Sequence, residues 1–157
     1  LAIEFVHSLS NVYRYVLQSK DHELVDLKSE LEFISDYAFG FNLRFGNSFE
    51  LAINVPEAFL DTRILPLTLQ ILVENCVKHN IISGDKPLHV FISVEHGSHI
   101  VVRNNLQRKP VPPARTHVGL KNIITRYEFV TQKMVQIEES PVEFTVKLPL
   151  LNGKENR

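Results

Sequence analysis

Tryptophan is absent from this sequence, and cysteine and methionine each occur only once among its 157 residues. The one cysteine, Cys76, cannot form an internal disulfide, so a disulfide-stabilised framework is excluded and a reducing environment is consistent with the composition. It lies within the apolar stripe of a predicted helix, which favours a small buried side chain over a nucleophile.

Long apolar runs and a strong excess of one charge are also missing. No run approaches the roughly 18 apolar residues of a membrane-spanning helix, and no basic start followed by an apolar region indicates a signal peptide. The formal net charge is -1, and the basic residues are scattered, so no nucleic-acid partner is predicted. The histidines lack the spacing to cysteine or carboxylate partners that a zinc site or metal cluster needs.

The composition is that of an ordinary globular domain. With 44% hydrophobic and 22% charged residues, the chain is long enough for one sizeable core and too short for two full domains. It begins with Leu1, and its first residues already follow a helical pattern. We therefore expect a segment of a longer protein, whose other parts could include membrane segments.

The stretch from Ile64 to Asn80 combines a helical apolar stripe with an unusual set of polar groups. At about 100° per residue, one face carries Leu65, Leu69, Leu72 and Cys76. The adjoining flank carries Asn75, Lys78 and His79. An Asn oxygen can ligate Mg²⁺, and Lys and His can donate to phosphate oxygens, so this flank suits a phosphate site. From the pattern alone, an amphipathic helix with a solvated rim is an equally good interpretation.

Helical periodicity also covers the N-terminal part of the chain. Apolar residues recur at helical spacing over residues 2–19, and this amphipathic helix needs a partner surface. A second helix is predicted from an N-cap at Asp26 to about Arg44, ended by Gly46. A short strand over residues 49–53, closed by Pro56, precedes the phosphate-site helix.

The phosphate-site helix is predicted to begin at a cap on Asp61 or Thr62 and to end near Ile82, with Pro66 in its first turns. Alternating residues then predict strands over 88–94 and 99–104, joined as a hairpin by residues 95–98.

Residues 107–117 contain three prolines and read as a long exposed loop. A helix over 118–130, strands over 135–138 and 142–148, and a polar, frayed end from Leu151 complete the pattern. The elements predict an α+β fold, a two-layer sandwich with helices on one face of a mixed sheet.

Two of these segments, taken together, resemble known motifs. Residues 65–79 (LPLTLQILVENCVKH) and 118–127 (VGLKNIITRY) look like the N-box and G-box of GHKL, or Bergerat-fold, ATP-binding domains. The first is similar to the P-x-x-x-Q-x-L-V-E-N-A-x-K-H form of LytS-type sensor histidine kinases. Residues 9–17 and 27–37 resemble that subfamily's L-S-x-x-x-R-Y and L-x-x-E-L-x-x-x-x-x-Y segments. Four blocks in the same order make the resemblance specific.

The resemblance implies ATP and Mg²⁺ as ligands. Asn75 would ligate Mg²⁺, while Lys78 and His79 would approach the phosphates. Gly119, Leu120 and Lys121 would lie at the end of a mobile lid, where backbone N–H groups at a helix start can hold anions. Residues 107–117 would form that lid. A plain surface loop is the alternative.

The sequence departs from the family pattern at the base-binding end. The D-box aspartate, which accepts from the adenine amino group, is replaced by Asn104, and the following glycine by Leu106. Asn keeps an acceptor oxygen, although a neutral acceptor is weaker than a charged one. The leading glycine of the G-box is His117.

Other departures bear on the reaction. ATP-hydrolysing members of the superfamily carry a water-activating Glu four residues before the magnesium Asn, and here that position is Ile71. Glu74 points about 100° away and is expected to pair with Lys78, so it is only a weak catalytic candidate. A phosphotransferase is therefore favoured over a strong ATPase. His7 lacks the surroundings of a phosphoacceptor, and we expect that histidine outside this chain.

The resemblance thus predicts the catalytic part of a two-component sensor histidine kinase. Residues 1–46 would belong to the dimerisation and histidine-phosphotransfer region with its linker helix, residues 47–150 to the ATP-binding domain, and residues 151–157 to a polar tail. Partners would be a response regulator and a second copy bound through the first helix. The chain would be the cytoplasmic portion of a bacterial inner-membrane sensor. Two alternatives are a kinase-like interaction module with weak or no ATP binding, and a GHKL serine kinase of the anti-sigma-factor kind.

Overall fold

The computed structural model describes residues 1–110 and 118–152. Its helices are α1 (Ala2–Ser19), α2 (Leu27–Phe45), α3 (Thr68–His79) and α4 (Val118–Thr131). Its strands are β1 (Val25–Asp26), β2 (Phe49–Asn54), β3 (Arg63–Ile64), β4 (Leu88–Glu95), β5 (His99–Asn105), β6 (Gln136–Glu139) and β7 (Glu143–Pro149). Residues 111–117 of the predicted lid, His117 among them, and residues 153–157 of the predicted tail lie outside the described residues.

Five strands form one mixed sheet in the order β2-β4-β5-β7-β6. Strands β2 and β4 are parallel, because α3 lies between them in the chain, and every other neighbouring pair is antiparallel. The predicted hairpin is confirmed, and its turn has positive φ at His96 and Gly97, the backbone twist that a tight hairpin favours. The predicted α+β class with a mixed sheet is therefore confirmed.

Helices α2, α3 and α4 bury their apolar faces against the sheet in one core. Each helix contributes fully or nearly fully buried side chains, for example Ile34, Val73 and Tyr127, and the sheet contributes Ile92 and Leu148. Leu151, the first residue of the predicted tail, is also buried, and its backbone exchanges two hydrogen bonds with that of Arg63, at 2.7 and 2.9 Å.

Helix α1 packs along α2, and most of its own apolar residues stay exposed. The two helices are joined by the stacked rings of Tyr15 and Phe33, 4.4 Å apart, and by hydrogen bonds from Ser8 and Asn11 to Asp36. The exposed apolar side chains are those of Leu1, Ile3, Phe5, Val6, Leu9, Tyr13, Val16 and Leu17. Across residues 1–110 and 118–152, no helix has the length and apolarity to cross a membrane.

Helix α2 follows the sequence prediction closely. Asp26 is its N-cap and accepts a hydrogen bond from the backbone N–H of Ser29 at 2.7 Å. Gly46 ends the helix with φ at +54°, in the region that favours glycine.

The predicted beginning and end of α3 were wrong. Arg63 and Ile64 are not helical: they form β3, which pairs with β1. The helix begins only at Thr68, after Pro66, and it ends at His79 rather than near Ile82. The expected local cap on Asp61 or Thr62 does not exist, because these residues form a turn between a short 3-10 segment, Glu57–Phe59, and β3, which pairs with β1.

Two glycines, one inside α2 and one directly after it, provide a test of the described backbone. Gly40 lies inside the helix with no atom within 4 Å of an added Cβ. Gly40→Ala should therefore raise the free energy of unfolding by about 0.5–1 kcal/mol, since Ala has the higher helix propensity.

Gly46→Ala is the matched control and should lower the free energy of unfolding, because its positive φ strains any other residue. Urea denaturation of both variants measures the two shifts. Destabilisation by Gly40→Ala would contradict the helical placement of that residue.

Candidate functional site

A pocket opens between α3, α4 and the ends of β5 and β7. Its apolar walls are formed by Leu72, Cys76, Val102, Leu106, Leu120, Phe144 and Val146. Its polar groups come from Asn75, His79, Asn80, Asn104 and Arg108. Apolar walls with a few polar groups converging on them are typical of small-molecule sites.

Helix α3 contributes both to the core and to this pocket, as its periodicity predicts. Of the predicted stripe, Leu69, Leu72 and Cys76 lie on the helix and are buried, and Leu65 is also buried but precedes the helix. On the adjoining flank, Asn75 and His79 are partly buried and line the pocket, whereas Lys78 is exposed and is not part of the lining. The helix thus presents an amide and an imidazole to the same cavity.

The start of α4 lies against Asn75. A Cβ on Gly119 would be 3.6 Å from both Oδ1 and Nδ2 of Asn75, and only 3.0 Å from Cγ2 of Ile71. Glycine is therefore needed for this close approach. The first backbone N–H groups of α4 have no helical acceptor, and the approach holds the beginning of the helix next to the Asn75 amide.

The other two predicted site residues of α4 differ in their exposure. Leu120 is buried and lines the pocket, whereas Lys121 is exposed. The structure therefore brings together Asn75, His79, Gly119 and Leu120, whereas Lys78 and Lys121 are exposed residues outside the pocket lining.

Asn104 of β5 also lines the pocket and is buried, 2% exposed. Its Nδ2 donates to the backbone carbonyl of Asn105 at 2.7 Å, and its Oδ1 accepts from the Cys76 thiol at 3.3 Å. The neighbouring carbonyl therefore orients the amide, so that the oxygen rather than the NH₂ group is left as the acceptor toward Cys76.

Burial raises the pKa of the Cys76 thiol to about 12. The side chain consequently stays a neutral thiol at physiological pH and can donate to Asn104. The prediction of a small buried side chain at this position is confirmed.

The first residues of the predicted lid are tied to the end of α3. The Asn80 side chain accepts from the backbone N–H of Gln107 at 2.8 Å and donates to the Cys76 carbonyl at 2.9 Å. The ammonium of Lys109 donates to the carbonyl of Lys78 at 2.9 Å, close to the negative end of the helix dipole. Residues 107–109 are thus attached to the helix that carries Asn75.

Sequence reasoning missed two polar residues of this pocket. In the sequence, Asn80 looks like an ordinary residue at the end of the predicted helix. Arg108 looks like one residue of the proline-containing loop. Arg108 forms an ion pair of 2.7 Å with Glu139 across the pocket edge. The pairing joins residues 31 positions apart, so no local pattern could have revealed it.

Glu74, the weak catalytic candidate, faces away from the pocket. It is exposed, and its carboxylate accepts from Gln70 at 3.3 Å and from the Tyr37 hydroxyl at 3.4 Å. Its contacts are therefore with α2 and with its own helix.

Solved structures share this architecture. The catalytic domain of histidine kinase ThkA aligns with 82% of this chain and 97% of its own, with a TM-score of 0.55 and 13% identity. The cytoplasmic segment of histidine kinase QseC aligns with 85% of this chain and 80% of its own, with a TM-score of 0.58 and 14% identity. The fold is that of a histidine kinase catalytic domain.

Sequence comparisons show which kind of histidine kinase this chain resembles. A family model described as histidine kinase matches residues 1–49. The sensor histidine kinase/phosphatase LytS of Staphylococcus aureus is 31% identical over 110 residues, 68% of this chain, and a sensor-like histidine kinase of Staphylococcus epidermidis is 34% identical over 103 residues, 64% of this chain. The chain belongs to the sensor histidine kinases of the LytS type. It spans about a fifth of the length of these curated relatives.

Because Cys76 is buried and its thiol is not ionised, it should resist alkylation in the folded protein. At pH 8, a rise in pKa from 9 to about 12 lowers the thiolate fraction roughly a thousandfold. Iodoacetamide labelling followed by mass spectrometry measures the rate, with the same chain in urea as the control. A native rate within about tenfold of the unfolded rate would contradict the placement of Cys76.

Gly119→Ala should force α4 away from α3, because the new methyl group would meet Ile71 at 3.0 Å. Overpacking of this kind costs about 1–3 kcal/mol of unfolding free energy. Gly84→Ala is the matched control, since nothing lies within 4 Å of its Cβ position. Thermal and urea unfolding of both variants make the comparison, and equal stability would show that the two helices are not in close contact.

Proposed function

We propose that this chain binds Mg²⁺ and ATP in the pocket between α3 and α4 and transfers the γ-phosphoryl group to a histidine outside the chain. The phosphoryl group would then pass to a response regulator. The observation that supports this most directly is the convergence of Asn75 with the start of α4 at Gly119, beside a pocket that the Asn104 acceptor also lines.

The residues around Asn75 fit a phosphate-bound magnesium ion. The Asn75 oxygen is a hard ligand of the kind that Mg²⁺ takes singly, with phosphates and water completing its shell. Gly119 removes the side chain that would fill the space beside Asn75. Bound Mg²⁺ would neutralise charge on the phosphate oxygens during transfer. Asn75 would hold the ion, and His79 and Lys78 would donate to the phosphates.

The pocket residues around Asn104 fit a nucleobase. The Asn104 oxygen would accept from the exocyclic amino group of adenine, and the apolar walls, which include Leu72, Val102 and Phe144, would contact the ring and exclude water. The α4 residues Gly119, Leu120 and Lys121 would close the phosphate side, with Leu120 as a wall and the Lys121 ammonium at the rim.

Ile71 supports transfer to a histidine rather than to water. Its side chain packs against Gly119 where an ATP-hydrolysing relative would place its water-activating glutamate. An apolar side chain cannot accept a proton from water, so water is not activated at this position. An acceptor that needs no base there, such as a histidine, is therefore favoured.

We also propose the division of the chain. Residues 47–150 would form the ATP-binding catalytic domain, and residues 1–46 would form part of the dimerisation and histidine-phosphotransfer region with its linker helix. The exposed apolar side chains of α1 would be covered by a second copy in a homodimeric bundle. The whole would be the cytoplasmic portion of a bacterial inner-membrane sensor.

Asn104 and Leu106 favour one alternative, a kinase-like interaction module with weak nucleotide binding. A neutral amide is a poorer partner for the adenine amino group than a carboxylate, and Leu106 places a bulky apolar side chain in the pocket wall. Absence of any heat of binding at millimolar ATP and Mg²⁺ would favour this alternative over the active kinase.

Asn75→Ala should abolish magnesium-dependent nucleotide binding, because the side chain carries the proposed Mg²⁺ ligand. The fold should stay intact, since this side chain is partly exposed in the pocket. Isothermal titration with ATP, with Mg²⁺ or with EDTA, measures the effect. Asn54→Ala is the matched control, since Asn54 is an exposed residue of β2 away from the pocket. Wild-type affinity in Asn75→Ala would show that the metal ligand is misassigned.

A further inference from the structure

Glu30 of α2 is a fully buried carboxylate, with 0% of its surface exposed. Burial of a charged group is unfavourable unless hydrogen bonds compensate for the lost water. Burial raises the pKa of the Glu30 carboxyl, while hydrogen bonds from Tyr15, Leu69 and Leu67 act in the opposite direction. These hydrogen bonds therefore offset part of the unfavourable burial of Glu30.

Two of these bonds fix the beginning of α3. Oε2 accepts from the backbone N–H of Leu67 at 3.2 Å, and Oε1 accepts from that of Leu69 at 3.1 Å. Leu67 is the N-cap, its side chain makes no capping bond, and its φ of +62° is unfavourable for a leucine. A negative charge at this end also complements the helix dipole. Glu30 thus replaces the local cap that α3 lacks.

The third bond reaches α1. The Tyr15 hydroxyl donates to Oε2 of Glu30, the same oxygen that accepts from Leu67. The Tyr15 ring is stacked on Phe33, one helical turn from Glu30, so this side chain of α1 contacts α2 through both its ring and its hydroxyl. One oxygen atom therefore links α1 to the first residues of α3.

We propose that Glu30 is a positioning residue for the nucleotide site and that Tyr15 couples it to α1, so that the placement of α1 sets the nucleotide affinity of the pocket. The inference rests on the proposed nucleotide site at Asn75. No further ligand is required, because the coupling runs through hydrogen bonds already present in the structure.

The path from Glu30 to Asn75 is short and stiff. Asn75 lies seven positions after Thr68 on a 12-residue helix, about 10 Å at 1.5 Å per residue. The helix is packed in the core, so a shift at its start is transmitted along its axis. At Asn75 there is little space to absorb the shift, because Ile71 and Gly119 are already in close contact.

Tyr15→Phe is the most specific test, since it removes one hydroxyl and keeps the stacked ring. We expect the affinity for ATP with Mg²⁺, measured by titration calorimetry well below the unfolding temperature, to fall roughly 2- to 30-fold. Tyr13→Phe is the matched control on the same helix, where the side chain is 64% exposed, and it should bind like the wild type. Wild-type affinity in Tyr15→Phe would overturn the coupling.

A second measurement separates positioning from a general loss of stability. In ¹⁵N spectra, the side-chain amide resonances of Asn75 should shift in Tyr15→Phe and stay in place in Tyr13→Phe. This readout requires no nucleotide. If the wild type binds no ATP, the proposed function fails, and the Asn75 resonances still decide whether α1 is coupled to the site. Unshifted resonances in Tyr15→Phe would overturn the inference.

Glu30→Gln identifies the intermediary. Gln keeps one acceptor oxygen and loses the charge, so the nucleotide affinity of Glu30→Gln should fall. Adding Tyr15→Phe to Glu30→Gln should then lower the affinity by a smaller factor than Tyr15→Phe does in the wild type. Independent, multiplicative effects of the two changes on affinity would show that Tyr15 does not act through Glu30.

Discussion

The position of α3 depends on the carboxylate of Glu30. A helix leaves its first backbone N–H groups without helical acceptors, and the sequence just before α3 supplies no side chain to satisfy them. The carboxylate that does so comes from α2, 37 residues before Leu67. Without it, the buried N–H groups and the unfavourable φ of Leu67 would have no compensation, and the helix that carries Asn75 and His79 would lose its fixed beginning.

That fixed beginning determines the shape of the pocket. With α3 set by Glu30, its buried stripe packs on the sheet and its flank meets the start of α4, where a Cβ on Gly119 would lie only 3.0 Å from Ile71. In the wall of the same pocket, Cys76 and Asn104 form a neutral pair in a buried environment. A neutral amide suits this position, because a carboxylate beside an un-ionised thiol would be buried with only one weak donor. The neutral amide at the proposed base-binding position is therefore matched to its surroundings.

The parts of this fold that sequence could predict are those set by local periodicity. The α1 and α2 helices, the hairpin of β4 and β5, and the buried stripe of α3 all follow from spacing within a few turns or strand residues. The beginning of α3 does not, because Asp61 and Thr62 look like caps, whereas the real acceptor is on another helix.

The same division holds for the candidate site. Asn75 and His79 share a helical flank, so periodicity places them together. Asn80 and Arg108 line the pocket through contacts between distant segments, and sequence gives no local sign of them.

The chemistry that the pocket can support is limited by Ile71. In the proposed site, Ile71 holds the position at which the resemblance places the water-activating carboxylate of ATP-hydrolysing relatives, and a Cβ on Gly119 would lie only 3.0 Å from its Cγ2. Glu74 cannot substitute, since it is directed to Tyr37 and Gln70 on the far side of the helix. A water molecule near the phosphates would thus find no proton acceptor at this position. An imidazole is already a nucleophile without such help, which makes a histidine acceptor the better match to this arrangement.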